Sequence, residues 1–478
     1  MRKISCAYVL AGAHMPPSMA QEIVLEGNSI TALATCADPP DDVLALPPLV
    51  NAHDHGRAVR VSSIGGGGKP LETWLNYLAL FPSVDPYLAS LVSLSHSALG
   101  GVGTVMMHYT RAQGFTDLPT EVATVARAAR DVGVRVGFAV SMRDRNPLVY
   151  GPSEPILTAL PPDVRSEIES RFIRAPLKPA DYIALADAVH AAAQSETFEV
   201  QYGPNGVQWC TKELLDAVAD ASNRTGRRIH MHLLETRYQR DWLDRNYPEG
   251  VVQFLDSIGF LSPRLTLAHC IWTRPDELEL LAARGVTIAC NHSSNLHLRS
   301  GVAPVGKMLE AGIRVALGID AIAFDEDDDA LREMRVASLL QAGNGFDIKV
   351  SRQKILQMVF GNGHLSVMNQ PRDVVLSPGA PADILLLDWS RIDDEKLRPD
   401  IDPLDLLFGR ASADDIDELI VAGRTIVKRG TVTNVDYLAA RKEVLDVMRK
   451  GLAKDRLVTA MPALEQVIAA HYRDAPCC

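Results

Sequence analysis

Pro47-Pro48-Leu49-Val50-Asn51-Ala52-His53-Asp54-His55-Gly56-Arg57 is the stretch from which the fold can be read. An apolar run (Leu44, Leu46, Leu49, Val50) enters it as a buried strand would and stops at two histidines one residue apart. Side chains at i and i+2 of a strand share a face, so His53 and His55 should converge. Two convergent imidazoles at the end of a buried strand are well placed to bind a metal. A lone H-x-H is a weak motif, and its weight depends on what the other strand ends carry.

Downstream, apolar strand-like runs alternate with helical patterns. The runs are Val102–Met107, Val134–Val140, Phe198–Tyr202, Arg228–Leu233, Leu265–His269, Val286–Cys290 and Val315–Asp320, with helices expected around 121–131, 180–193 and 212–224. With the opening strand this makes eight β/α units. Near-continuous Val/Ile/Leu strands separated by helices imply a covered parallel sheet, and eight of them imply an α/β fold of the (β/α)8 TIM-barrel type. The runs end in His53/His55, His108, His232, His269, Cys290-Asn291-His292 and Asp320. In such a barrel these ends meet at one mouth, where the chemistry is kept. Glu235 follows His232 by three residues, close enough to carry a proton from a water to a leaving group without ligating the metal.

Both ends of the chain read differently. Ile4–Leu10, a hairpin around Gly27-Asn28, Ala382–Asp388 and Glu418–Val427 are strand-like, too few at either end to form an independent core. They predict a small, discontinuous β-sandwich domain from residues 1–46 and 373–434, flanking a catalytic barrel at 47–372. A C-terminal tail at 435–478 carries amphipathic helices at Tyr437–Met448 and Met461–Tyr472, placed on the main domain or a neighbouring subunit. Cys477 and Cys478 read as an exposed end.

Composition narrows the function. A formal net charge of −11 without a basic run argues against nucleic acid and anionic membrane surfaces as partners. No run approaches the roughly 20 apolar residues of a membrane span. Seven scattered cysteines without C-x-x-C pairs fit reduced thiols and a cytoplasmic setting. The acidic run Asp325–Asp329 reads as a solvated loop leading into a helix N-terminus.

Taken together, Pro48-x-x-Asn51-Ala52-His53-Asp54-His55, His232-x-x-Glu235, Ala268-His269-Cys270, Ser294-Asn295-Leu296-x-Leu298, Leu317-Gly318-Ile319-Asp320 and Glu333-Met334-Arg335 resemble the amidohydrolase superfamily. The likeness is to its cytosine/guanine/S-adenosylhomocysteine deaminase and triazine hydrolase branch, and it extends over nearly the whole chain. It implies one divalent metal held by His53, His55, His232 and Asp320, with Glu235 as proton shuttle, His269 touching the water or substrate, and Asp320 also activating the water. Three histidines and a carboxylate suit Zn2+ or Fe2+. The implied chemistry is hydrolysis of a C–N bond, foremost the deamination of a nitrogen heterocycle by hydroxide made available at the metal. A small-molecule substrate and a homodimer or larger homo-oligomer are implied as well.

Departures from the branch bear on the substrate. Where relatives have a Pro-His-Ala-Pro-like segment, this chain has Gly203-Pro204-Asn205-Gly206-Val207-Gln208-Trp209, with Asn205 in place of a substrate-contacting histidine. Gly65–Gly68 suggests either a flexible loop over the mouth or a plain surface loop. Arg57, His108, Gln201, Asn205, Trp209 and His292 are the candidate substrate contacts. Two other functions compete: hydrolysis of a urea- or carbamate-type amide or dehalogenation of a triazine, and a non-catalytic binding role.

Overall fold

A computed structural model describes residues 1–38, 40–321, 324–370 and 374–473. The chain begins with β1 (Arg2–Val9), β2 (Ser18–Glu26), β3 (Ser29–Thr35) and β4 (Val43–Leu46). Pro47-Pro48 then interrupts the apolar run, because proline cannot donate to a strand ladder. β4 thus stays with the terminal strands, and β5 (Leu49–Asp54) starts the barrel.

The barrel continues through β6 (Val102–Tyr109), β7 (Arg135–Met142), β8 (Phe198–Pro204), β9 (Ile229–Leu233), β10 (Leu265–His269), β11 (Thr287–Cys290) and β12 (Arg314–Leu317). All seven neighbouring pairs are parallel, in sequence order. The ends close where Asp320 N donates to the His53 carbonyl (2.8 Å) and Ile319 N to Asn51 Oδ1 (2.9 Å). Gly318 permits that closure: a Cβ there would lie 2.2 Å from Asn291 Oδ1 and 2.9 Å from His53 N. The eight units expected from alternating strands and helices are all present. Helices 358–368 plug the floor, where Val367 and Met368 pack on Val50, Met106 and Ala139.

β13 (Ile384–Asp388), β14 (Ile416–Val421), β15 (Arg424–Lys428) and β16 (Thr431–Val432) complete the terminal sheet, in the order β16-β15-β14-β13-β4-β1-β2-β3. It is one continuous sheet, with strands from both chain ends. It curls back on itself, since Ile30 N donates to Ala380 O (2.9 Å) and Gly379 N to Ile30 O (2.8 Å). Period-2 alternation sorts its side chains. Ile23, Ile30, Ala45, Ile384, Leu386 and Ile420 fill its own core, while Leu44, Leu46, Leu385, Leu387 and Leu419 join the core shared with the barrel. The expected boundary at 372/373 lies outside the described residues, as do Cys477 and Cys478.

Helices Tyr437–Leu452 and Leu457–Arg473 run longer than their apolar stripes predicted. Both pack on the main body of the chain, the first against helix Pro86–Leu99 and the second against helices Leu71–Tyr77 and Pro162–Phe172. In the acidic run, Asp329 caps helix Ala330–Gln341 through Arg332 N, and Arg332 pairs with Asp325, Asp327 and Asp329. Among the described residues no helix is long and apolar enough to cross a membrane, and the five described cysteines are free.

Candidate metal-binding active site

Barrel geometry delivers His53, His55, His232, Glu235, His269 and Asp320 to one mouth. His53 and His55 leave β5 with ring centroids 5.1 Å apart, after a register shift against β6 between Asn51 and Asp54. Asp54 fixes the turn by accepting from His55 N (2.7 Å), Gly56 N (2.9 Å) and Ala321 N (3.0 Å). His232 is the penultimate residue of β9, His269 ends β10, and Asp320 follows β12. His269 and Asp320 both take positive φ (73° and 60°), a strained conformation for non-glycine residues that turns the chain sharply at each strand end.

Their donor atoms converge. Asp320 Oδ1 lies 3.1 Å from His55 Nε2 and 3.4 Å from His53 Nε2, and His55 Nε2 lies 3.4 Å from His232 Nε2. His53, His232 and His269 form one set of candidate ligand atoms lying within 4.8 Å of one another; His53, His55 and Asp320 form a second. The outer nitrogens fix the tautomers. His55 Nδ1 donates to the His108 carbonyl (2.9 Å) and His232 Nδ1 to the Asn205 carbonyl (2.8 Å). Each therefore turns an Nε2 lone pair inward, toward the other and toward a carboxylate. His53 Nε2 is buried without a hydrogen-bond partner, and its Nδ1 meets His230 Nε2 at 2.7 Å. A proton on His53 Nδ1, donated to His230, leaves the third Nε2 free as well. Facing lone pairs beside a carboxylate repel one another unless a cation sits among them, and imidazoles oriented from behind are the usual arrangement around one. The residues present therefore fit a divalent metal.

The electrostatics agree. Burial, reinforced by neighbouring imidazoles, pushes His232 well below the usual histidine range and takes His269 down to about 4, so both rings are neutral. Burial pushes Asp320 the other way, but the His53 and His55 imidazoles facing it outweigh that push and hold its carboxyl well below the ordinary value. Ser294 Oγ also donates to Asp320 Oδ2 (2.6 Å). Glu235 is buried, and that burial, with Asp320 and Glu72 nearby, pushes its carboxyl well above the ordinary value. Its Oε2 stands 3.6 Å from His269 Nε2, whose Nδ1 donates to Asn295 Oδ1 (2.9 Å).

A cavity of about 290 Å3 opens over these atoms. Of the candidate substrate contacts, Arg57, Asn205 and Trp209 line it. The other three lie elsewhere. Gln201 is on the barrel floor, donating to the Ser366 and Val367 carbonyls (3.0 and 2.9 Å). His108 is buried beside His232 and its Nε2 meets the Gly203 carbonyl at 3.0 Å. His292 is buried at the start of helix His292–His297, 4.0 Å from Glu333. Strand ends alone do not separate residues facing the mouth from residues packed beneath it. Gly65–Gly68 does not line the cavity; Gly65 and Gly66 N bond back to Ser62 and Val61, and Arg299 donates to Gly68 O.

Several contributors went unread in the sequence, among them His230 and Tyr472. His230 shares a face with His232 by the same period-2 rule that joined His53 to His55, so the signal was present. Tyr472 comes from the last described helix and forms part of the cavity wall, where its hydroxyl accepts from Tyr150 N (2.9 Å). No local pattern marks it.

Residues 44–426 match the model of a family described as the amidohydrolase family. The 5'-deoxyadenosine deaminase of Methanothermobacter thermautotrophicus is 29% identical over 417 residues, covering 85% of this chain and 89% of that protein. The 5-methylthioadenosine/S-adenosylhomocysteine deaminase of Thermococcus sibiricus is 28% identical over 432 residues, covering 89% and 93%. Among solved structures, an adenosine deaminase from Xanthomonas campestris with bound zinc superposes with a TM-score of 0.77 at 19% identity, covering 94% of this chain and 98% of that one. An atrazine chlorohydrolase from Arthrobacter aurescens complexed with zinc gives 0.74 at 20% identity, covering 94% and 100%.

Proposed function

The chain belongs to the amidohydrolase family, a metal-dependent hydrolase of C–N bonds, and on that premise we propose that it deaminates a nitrogen heterocycle, with zinc held by His53, His55, His232 and Asp320. The observation that carries this is the pair of tautomer-fixed lone pairs on His55 and His232 facing the Asp320 carboxylate. The deaminase names of the full-length relatives support the choice of bond. A divalent ion bound there supplies Lewis acidity and brings the pKa of a water toward neutrality.

The protein's own groups handle the proton. Adding water to an amino-bearing ring carbon and expelling ammonia moves one proton from the water oxygen to the departing nitrogen. Glu235 is suited to that transfer: its buried carboxyl has a raised proton affinity, so Oε2 can take the proton and hand it on. His269, kept neutral and oriented by Asn295, presents Nε2 beside it as a hydrogen-bonding partner for water or substrate. Trp74, Trp209, Leu148 and Tyr150 supply flat apolar walls for a ring and limit access of bulk water.

The same proposal includes a reduced, cytoplasmic setting and a homodimer or larger assembly. Its test is metal analysis joined to a screen of aminated purines, pyrimidines, pterins and triazines, and of phenylureas. Release of ammonia is expected. Release of chloride or an arylamine alone would move the assignment to dehalogenation or urea hydrolysis.

A further inference from the structure

Three arginines and no lysine line the cavity of this acidic chain: Arg57, Arg111 and Arg143. Arg57 follows His55 by two residues, placing its guanidinium near the proposed reacting centre. Its Cζ sits 4.9 Å from the centre of the Trp74 ring, and its Nη1 is buried with no hydrogen-bond partner. A buried guanidinium is costly to leave unanswered, and its five N–H groups can only donate. No wall carboxylate hydrogen-bonds Arg57 Nη1, although the charges of Asp320, Asp54 and Glu235 act on the guanidinium. Glu72 accepts from Thr236 Oγ1 (2.6 Å) and Tyr150 OH (3.1 Å), while Asp320 Oδ2 accepts from Ser294 Oγ (2.6 Å). Arg143 spends an Nη2 hydrogen on the Asn146 carbonyl (2.9 Å). Arg111, like Arg57, lines both this cavity and a smaller one of about 60 Å3 that adjoins it.

Resting on the reading of this cavity as the substrate site of a C–N hydrolase, we infer that Arg57, with Arg111 on the cavity wall in support, forms an anion subsite, so that the substrate carries a carboxylate or comparable charged oxygen group near the scissile C–N bond. The planar fork of Arg57 suits a bidentate carboxylate, and the Trp74 ring lies within cation–π range of it. Binding the anion would satisfy the open Nη1 and position the ring over His269 and Glu235.

Benzoate and benzamide are matched probes, sharing a ring and differing in charge. Both are titrated calorimetrically into the zinc-loaded, full-length protein and into its Arg57→Gln, Arg57→Lys and Arg111→Gln variants. The wild type should prefer benzoate by about tenfold. Arg57→Gln should remove that preference while leaving benzamide affinity and zinc content unchanged; Arg57→Lys should keep part of it, and Arg111→Gln should weaken benzoate to a lesser degree. Equal affinity of the wild type for the two probes would overturn the subsite. So would benzoate binding that survives Arg57→Gln, which would place the carboxylate on the metal. Failure of the C–N reading would appear separately, as no ammonia or amine released from any substrate whatever its charge. Turnover of neutral substrates as efficient as that of their carboxylate-bearing counterparts would overturn the subsite and leave that reading standing.

Discussion

His55 Nε2 and His232 Nε2 face each other across 3.4 Å, while the opposite nitrogen of each ring donates to a backbone carbonyl, of His108 and of Asn205. Neither ring can turn its proton inward without losing that bond, so two lone pairs and the Asp320 carboxylate are held in mutual repulsion. The fold pays for this arrangement through the closure of the barrel, which places β5, β9 and the end of β12 around one point. A cation at that point reverses the sign of the interaction.

Behind His53, the 2.7 Å contact with His230 fixes the third imidazole. His230→Ala should therefore lower metal affinity by about 10- to 100-fold, the usual effect of removing a group that orients a ligand. Competition with a chromogenic chelator measures it. His230→Gln, which can still accept from His53 Nδ1, should recover part of the loss.

Glu235 is placed to move a proton without binding the metal. Glu235→Gln should leave the metal content unchanged and lower kcat by about 10^2- to 10^4-fold. Single-turnover kinetics on the best substrate of the panel would check this. A fall in metal content of similar size would make Glu235 a ligand instead.

Tyr472 closes one wall of the cavity from the C-terminal helix. That helix is tied down by Glu465, which accepts from Lys69 Nζ (2.8 Å) and Tyr77 OH (2.7 Å). Tyr472→Ala should raise KM with kcat little changed, since the reacting groups all sit on barrel strand ends and the loops that follow them. Steady-state kinetics separates the two constants.

At the far side of the molecule Arg2 and Lys428 join the two chain ends through Glu418. Against the upward push of burial, hydrogen bonds from Arg2, Thr425 and Lys428 bring the Glu418 carboxyl down to about 2. A carboxyl whose folded value lies below its unfolded value, about 4.3, stabilises the fold above that value. The contribution is lost as pH falls from about 4.3 to about 2. Glu418→Gln should therefore unfold at lower denaturant concentration than the wild type at pH 7, with the gap narrowing over that acid window. Urea titrations at several pH values would show it.

Much of this architecture is legible in the sequence because two periodicities carry it. Alternation of apolar strands with helices yields all eight barrel strands, and the i, i+2 rule brings His53 to His55. The same rule applied to Arg228-Ile229-His230-Met231-His232 would have found His230. What stays hidden depends on contacts between segments distant in the chain. Gln201 and His292 share the strand-end pattern of the site, yet Gln201 is claimed by the floor helix carbonyls and His292 packs beside Glu333. Tyr472 reaches the cavity only because a helix near the chain's end folds across helices 71–77 and 162–172. The strands at both ends read correctly as one unit, but their joining into a single curled sheet rests on pairing between residues 29–30 and 379–381, some 350 residues apart.

The measurement that bears most directly on the central claim is metal stoichiometry and hydrolysis followed together through chelation and re-addition, for the wild type and for His55→Ala and His232→Ala. About one divalent ion per chain is expected, with activity that is lost with the ion and returns with zinc, and variants that remain folded but hold far less metal. Full activity in the chelated wild type, or undiminished metal in both variants, would contradict that claim.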